Sequence, residues 1–106
     1  MRVIRRYRQG QQGGGCLVTI DDALLPLPSL GPHEFRHSPA GFQWGYAGSG
    51  AAELARAILV ALYPEDPVVR HPGCYQTFKA QVIAPLREDG FTLTSLEVDA
   101  WYQGWR

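Results

Sequence analysis

The chain has 106 residues, and its ten Lys and Arg residues balance ten Asp and Glu residues, so the formal net charge is zero. This balance excludes a protein that is basic throughout, as many nucleic-acid-binding proteins are, and it excludes an acidic disordered tail. The length suits a single domain over residues 1–106, because either half alone would be too small to bury a core of its own.

The apolar residues are spread too thinly for a membrane protein. The longest nearly uncharged apolar run, residues 57–63, is far shorter than the roughly 20 residues of a membrane helix. The basic residues 1–8 are not followed by an apolar segment, so they do not predict a signal peptide. We therefore expect a cytoplasmic protein without a membrane partner, in which Cys16 and Cys74 remain reduced thiols.

The first part of the chain predicts a β-hairpin. Residues 2–8 alternate loosely between apolar and polar side chains and predict a strand at the edge of a sheet. Residues 9–15 contain four glycines and predict a turn, and residues 16–20 predict the second strand. Residues 24–27 predict a short third strand, limited by Pro26 and Pro28.

The second half of the chain predicts three helices. The first begins at residues 48–50, with Ser49 or Gly50 as its N-cap and Glu53 in its first turn, and it stops before Pro64. The second runs from about residue 74 to residue 84. With the hairpin, these helices predict an α+β fold: an N-terminal β-hairpin or small antiparallel sheet with about three helices packed on one face.

The third helix is predicted from Ser95 to about residue 103, after a capping box between Thr94 and Glu97. The spacing of its apolar residues is compatible with either of two buried faces. One face consists of Leu96, Ala100 and Trp101, and the other of Val98 and Trp101.

Residues 37–55 read HSPAGFQWGYAGSGAAELA. This stretch resembles a family of small bacterial and phage proteins of unknown function, whose hallmark is roughly HSPxGFEWGYGGSGPAxLA. Residues 75–86, residues 90–94 and the N-terminal hairpin fit the same family pattern. The resemblance implies an accessory or host-interaction role in a phage or mobile element. Gln43 stands where the family has Glu, and an amide cannot act as a proton-transfer base, which counts against an enzyme.

Two features of the central motif are candidate sites. Gly48, Ser49 and Gly50 lead into a helix, where free N–H groups favour a phosphate or carboxylate; a simple helix cap is the structural alternative. Trp44 and Tyr46 are candidates for partner contacts, since each combines a large apolar ring with a polar atom. Phe42 fits the core better.

The basic N-terminal strand is a third candidate. Arg5, Arg6 and Arg8, together with Arg2, could contact an acidic protein surface or phosphates. The structural alternative is protection of an edge strand against aggregation.

Other titratable residues give no site that we would assign. Four converging ligands are needed for zinc, and the histidines and cysteines lack that pattern. His37 could serve in acid–base chemistry or simply anchor its loop. Cys74, near a helix start, could have a lowered pKa, but no matched base accompanies it. We assign no catalytic residues, no metal and no cofactor.

The sequence therefore predicts a small non-enzymatic binding protein that acts by protein–protein interaction, and the resemblance implies that a phage or mobile element encodes it. An inhibitor of a host defence or regulatory complex is the concrete form of this expectation. The alternative is a small nucleic-acid or nucleotide-binding protein that uses the arginine strand and the glycine-rich helix start. An enzyme built around His37 is a third hypothesis.

Overall fold

The computed structural model describes residues 1–7, 17–28, 30, 42, 48–87 and 90–106. Of Arg6, Tyr7 and Leu17 it describes the backbone alone. Within these residues, four strands form one antiparallel sheet in the order β3-β2-β1-β4, accompanied by three α-helices. The α+β prediction is thereby confirmed. The elements are β1 (Val3–Tyr7), β2 (Leu17–Ile20), β3 (Ala23–Leu24), α1 (Ser49–Leu62), α2 (Pro72–Phe78), β4 (Thr92–Thr94) and α3 (Ser95–Trp105).

Strand β1 lies inside the sheet, so the prediction of an edge strand is wrong. Ile4 pairs with Ile20 of β2 on one side and with Leu93 of β4 on the other. The alternation within residues 2–8 cannot indicate that this segment pairs with β4, because β4 follows α1 and α2 in the chain. Because β3 and β4 form the edges, the arginines of β1 do not protect an edge.

Strands β2 and β3 are joined by a two-residue turn at Asp21 and Asp22. Both residues have positive φ, 52° and 68°, as the turn types that match the twist of a hairpin require. The Asp21 carboxylate also accepts hydrogen bonds from Arg2 Nε and from the Val3 N–H, each at 2.9 Å. The third strand is two residues long and ends before Pro26, so residues 25–27 are not part of it.

Helix α1 begins one residue earlier than a Ser49 cap would allow and two residues earlier than a Gly50 cap would allow. Gly48 is the N-cap, and its carbonyl accepts the Ala52 N–H at 3.1 Å. Ser49 is therefore already helical and does not cap. Glu53 lies beyond the first turn and is fully buried, so its prediction as a first-turn charge is also wrong. Residues 50–59 are buried on every face of the helix.

Helix α2 starts at Pro72, where the fixed φ of proline suits a first helical position. It continues directly into a π-helical segment, Lys79–Ile83, which ends before Pro85. This wider turn is rare, and it often occurs at functional positions. The predicted helix over residues 74–84 is confirmed in place, but the change in helical geometry has no signal in the sequence.

The Thr94 half of the predicted capping box of α3 is confirmed, since Thr94 Oγ1 accepts the Glu97 N–H at 3.2 Å. The Glu97 carboxylate accepts the hydroxyl of Thr94 rather than a backbone N–H. Of the two predicted faces, the one with Val98 is buried, and Tyr102 is buried with it. Leu96 is 65% exposed, so the alternative face is wrong.

One hydrophobic core joins the sheet to the helices. Phe42 belongs to it, which confirms the prediction for this residue. Among the described residues, none of the helices combines the length and apolar character that a membrane span requires. The core includes Ile4, Val18, Leu54, Ile58, Phe78, Ile83, Val98 and Tyr102.

Candidate functional site

Helix α3 has apolar side chains on two sides. Val98 and Tyr102 face the core, as described above. On the outer side, two rows of residues spaced by four run along the helix. The first row is Leu96, Ala100 and Gly104, all exposed. The second row is Glu97, Trp101 and Trp105, of which Trp105 is 37% exposed.

An open groove of about 460 Å³ lies between these rows and the π-helical segment. We call it the α3 groove. None of its lining side chains carries a formal charge, so its chemistry is that of aromatic rings, small side chains and one amide. The lining residues are Gln81, Ala100, Trp101, Gly104 and Trp105.

The two tryptophans of the groove are held in a defined arrangement. Their rings lie nearly parallel, with centroids 6.0 Å apart and an angle of 15° between the planes. Trp101 donates its indole N–H to Gln81 Oε1 at 2.8 Å, and its ring packs edge-on against Phe78 with centroids 4.8 Å apart. Because Gln81 lies in the π-helical segment, that segment helps to fix the orientation of Trp101.

Beneath the groove, two tyrosine–aspartate hydrogen bonds connect α3 to the end of α1. Tyr102 donates to Asp66 Oδ2 at 2.6 Å, and Tyr63 donates to Asp99 Oδ1 at 2.9 Å. Burial of the ring and the bond to Asp66 raise the pKa of Tyr102 to about 12. The same bond, followed by one from the Val68 N–H, lowers the pKa of Asp66. Both tyrosines therefore remain neutral donors at physiological pH, and α3 is anchored against α1.

A second charged feature lies inside the molecule, on α1. Glu53 and Arg56 are both buried, and Arg56 Nη2 donates to the two carboxylate oxygens of Glu53 at 3.2 and 3.1 Å. The guanidinium carbon lies 5.7 Å from the centroid of the Tyr75 ring. With both side chains enclosed, the pair is a structural ion pair, because a reactant in solution has no access to it.

The partner-binding residues predicted from the sequence are only partly described. Trp44, Tyr46 and Arg8 lie outside the described residues, as does the side chain of Arg6. Arg5 is exposed on the face of β1 opposite the buried Ile4.

Arg2 has a structural role at the edge of the basic strand. Besides its bond to Asp21, it donates from Nη1 to the Ala61 carbonyl at 3.3 Å. Arg2 is thus engaged by contacts within the chain, and binding of a ligand by the arginines stays a prediction.

The remaining predicted sites are placed as follows. At the start of α1, Gly50 is buried and Ser49 is exposed, and anion binding there stays a prediction. Burial raises the pKa of the Cys74 thiol, which agrees with the interpretation of Cys74 as an ordinary residue without an activating base. Cys16 and His37 lie outside the described residues. Among the residues that the structure describes, no three His, Cys, Asp or Glu side chains cluster as metal ligands would.

The α3 groove was not predicted from the sequence, although the sequence contains a signal for it. Ala100 and Gly104 are spaced by four, as are Trp101 and Trp105, so a helix aligns the small pair beside the large pair. The contribution of Gln81 could not be foreseen, because it depends on the π-helical turn.

The fold and this surface define a small α+β domain that carries an aromatic groove on its last helix. The chain belongs to the family of unknown function DUF6166, whose model matches residues 7–104. Comparison with curated proteins and with solved structures found no match.

Proposed function

We propose that this protein is a small non-enzymatic binding protein that acts by protein–protein interaction, and that the α3 groove is its contact surface. The observation that carries the proposal is the pair of parallel tryptophans, Trp101 and Trp105, beside Ala100 and Gly104. Tryptophan is among the residues that most often supply the binding energy of protein interfaces. Small residues next to such rings allow a partner's side chains or backbone to approach closely.

The arrangement of the groove supports binding without a large conformational change. Trp101 is fixed by the indole bond to Gln81 and by the edge contact with Phe78, so its rotamer is already restricted before a partner arrives. A side chain that is ordered in the free protein loses less entropy on binding. The ring of Trp101 can therefore serve as a rigid anchor, and the more exposed Trp105 as its neighbour.

The resemblance to phage and mobile-element proteins gives the proposal a concrete form. In that form, the protein acts in the cytoplasm and covers a surface of a host protein or host complex, such as a defence or regulatory complex. Trp44, Tyr46, Arg5, Arg6 and Arg8 remain the further contact residues that the sequence suggests.

The alternative function is binding of nucleic acid or nucleotides. The uncharged lining of the α3 groove disfavours it, since affinity for a phosphate backbone depends on Lys and Arg contacts. The Asp21 carboxylate that binds Arg2 also offsets one of the positive charges next to β1. This alternative is one of the outcomes that the following experiment distinguishes.

The test is photo-crosslinking in living cells with a photoreactive amino acid at Leu96. This residue is exposed on α3 beside the groove without lining it. We expect a discrete crosslinked product that protease removes and nuclease leaves intact, and that disappears when Trp105 is changed to Ala. Glu65, exposed in the turn after α1, is the matched control position and should give no such product.

Two results would contradict the proposal. A product that nuclease removes would transfer support to the nucleic-acid alternative. A protein product that survives Trp105→Ala unchanged would show that the contact surface lies elsewhere.

A further inference from the structure

We propose that Gln81 is an extra residue in an otherwise regular helix, and that the π-helical turn accommodates it so that its side chain positions Trp101 for binding. The inference rests on the proposed function, since the α3 groove is the surface that Gln81 completes. Three observations lead to it: the spacing of the buried residues on either side of the turn, the exposure of the residues within the turn, and the hydrogen bond that Gln81 makes.

The first observation is the spacing of the buried residues. Phe78 ends α2 and Ile83 ends the π-helical segment, and both are fully buried in the core. They are five positions apart, and a regular α-helix would place such residues about 140° apart around its axis. The Ala84 N–H instead donates to the Lys79 carbonyl at 2.8 Å, five residues back in the chain. This turn therefore contains one residue more than an α-helical turn, which lets both Phe78 and Ile83 reach the core.

The core could be formed equally well without this extra residue. Removal of one residue between Phe78 and Ile83 would leave them four positions apart, and residues at that spacing lie on the same face of an ordinary α-helix. Both side chains could then be buried by a regular helix, which is the common form, whereas a π-helical turn is rare. The reason for the wider turn therefore lies outside the core.

The second observation is the exposure of the residues within the turn. Ala80 and Gln81 are exposed, whereas Lys79 and Val82 on either side of them are half-buried. The side chain of Ala80 is a methyl group and makes no directed contact. Gln81 carries an amide, so it is the exposed residue of the turn that can orient another side chain.

The third observation is the hydrogen bond from Trp101. Gln81 Oε1 accepts the indole N–H of Trp101 at 2.8 Å. An indole has a single N–H group, so this bond restricts the rotation of the whole ring. Phe78 contacts the same ring edge-on. The residue before the turn and the extra residue within it therefore hold Trp101 together, and Gln81 acts on a partner only through Trp101.

The first experiment follows the indole N–H signal of Trp101 by nuclear magnetic resonance, with the signal assigned by its loss in Trp101→Phe. We expect slow exchange with water in the wild type, because Gln81 holds the N–H group. Gln81→Ala should shift the signal and accelerate its exchange, whereas Gln81→Glu keeps an acceptor oxygen and should preserve slow exchange. Gln103→Ala is the matched control, exposed on α3 without lining the groove, and should leave exchange slow. Fast exchange in the wild type, or an unchanged signal in Gln81→Ala, would overturn the inference.

The second experiment separates the extra residue from its hydrogen bond. Gln81→Ala loses the bond but keeps the wide turn, whereas deletion of Gln81 loses the bond and allows a regular helix. Thermal unfolding is followed by circular dichroism. We expect the melting temperature of the deletion variant to equal or exceed that of Gln81→Ala. A lower melting temperature, or failure of the deletion variant to fold, would show that the core requires the wide turn and would refute the proposal.

The third experiment measures the effect on binding through the crosslink at Leu96. We expect the yield of the crosslinked product to fall several-fold in Gln81→Ala and in the deletion variant, and to be unchanged in Gln103→Ala. If Gln81→Ala gives as much product as the wild type, the positioning role is refuted while the proposed function stands. If the wild type itself gives no product, the proposed function fails, and the role of Gln81 in binding fails with it.

Discussion

Tyr102 donates its hydroxyl to Asp66 across 2.6 Å and thereby ties helix α3 to the turn that follows α1. The ring of Tyr102 is buried, and its centroid lies 4.8 Å from that of the Tyr63 ring. Tyr63 makes a corresponding hydrogen bond, donating its hydroxyl to Asp99. These contacts fix the inner side of α3. The outer side, with the half-buried Trp101 and the exposed Trp105, therefore lies on a rigid support.

Removal of the Tyr102 hydroxyl measures how much this support contributes. Tyr102→Phe keeps the buried ring and loses the bond to Asp66, so we expect the free energy of unfolding to fall by about 1 kcal/mol. Urea unfolding followed by circular dichroism gives the value. Tyr63→Phe removes the same group from the more exposed bond to Asp99 and should cost less. An equal or larger loss for Tyr63→Phe would contradict the assigned roles.

The same bond predicts a pH dependence with a defined sign. The pKa of Tyr102 is raised to about 12 in the folded state, so its stabilisation is present below the unfolded value of about 10 and is lost above it. The pKa of Asp66 is lowered, so its stabilisation is present above the unfolded value of about 4 and is lost as the pH falls below it.

These two signs can be measured against one variant. The difference in unfolding free energy between the wild type and Tyr102→Phe should be largest at neutral pH and should shrink toward both extremes. Urea titrations at acidic, neutral and alkaline pH give the profile. A difference that is constant across the pH range would mean that the bond does not couple the two groups.

The turn between β2 and β3 allows a stabilising substitution. Asp22 has a φ of 68°, which glycine adopts without strain. We expect Asp22→Gly to stabilise the protein by about 0.5 kcal/mol, in line with the effects of residues that suit their backbone conformation. Asp21→Gly is the matched control one residue away. It also relieves a positive φ, but it removes the carboxylate that binds Arg2 and the Val3 N–H, so it should destabilise.

Thermal unfolding of both variants decides this prediction. The melting temperature should rise for Asp22→Gly and fall for Asp21→Gly. If both substitutions shift it upward, the Asp21 carboxylate contributes nothing to the hairpin.

The buried ion pair of α1 predicts a non-additive result. Arg56→Met removes the guanidinium from a fully buried Glu53, and loss of one member of such a pair costs about 3–5 kcal/mol. Adding Glu53→Met should recover part of that loss, because the double variant no longer buries the carboxylate. Unfolding free energies of both single variants and the double variant give the coupling. Additive losses would show that the two side chains act independently.

The general architecture could be predicted from local patterns, and the arrangement of the sheet could not. The helices over residues 49–62 and 95–105 follow from apolar spacing and from proline and threonine signals that operate within a few residues. The central position of β1 depends on its pairing with β4, from a distant part of the sequence. A strand of three residues such as Thr92–Thr94 contains too little hydrophobic alternation to predict which strand it pairs with.

The burial of Glu53 escaped prediction for a related reason. A carboxylate near a helix start is ordinarily read as a surface charge, because its burial without a partner is costly. Arg56 supplies that partner one turn later, and the spacing of three is visible in the sequence. What the spacing cannot show is that α1 is enclosed on all faces over residues 50–59.

The α3 groove could not be predicted either, because it also depends on tertiary packing. Either predicted face of the third helix contained Trp101, and an aromatic residue in a small domain is usually assigned to the core. Tyr102 takes the fully buried position instead, which leaves Trp101 half-buried against the core and Trp105 exposed. The choice between neighbouring aromatic residues depends on the packing of Val98 and Tyr63, which is a tertiary property.

The central claim, that the α3 groove is the contact surface, is tested most directly by hydrogen–deuterium exchange of the free and the bound protein. The bound protein is the complex that is recovered by crosslinking at Leu96. We predict additional protection at the Lys79–Ile83 segment and along Ser95–Trp105 in the bound form. Additional protection confined to other parts of the chain, with these two segments unchanged, would contradict the claim.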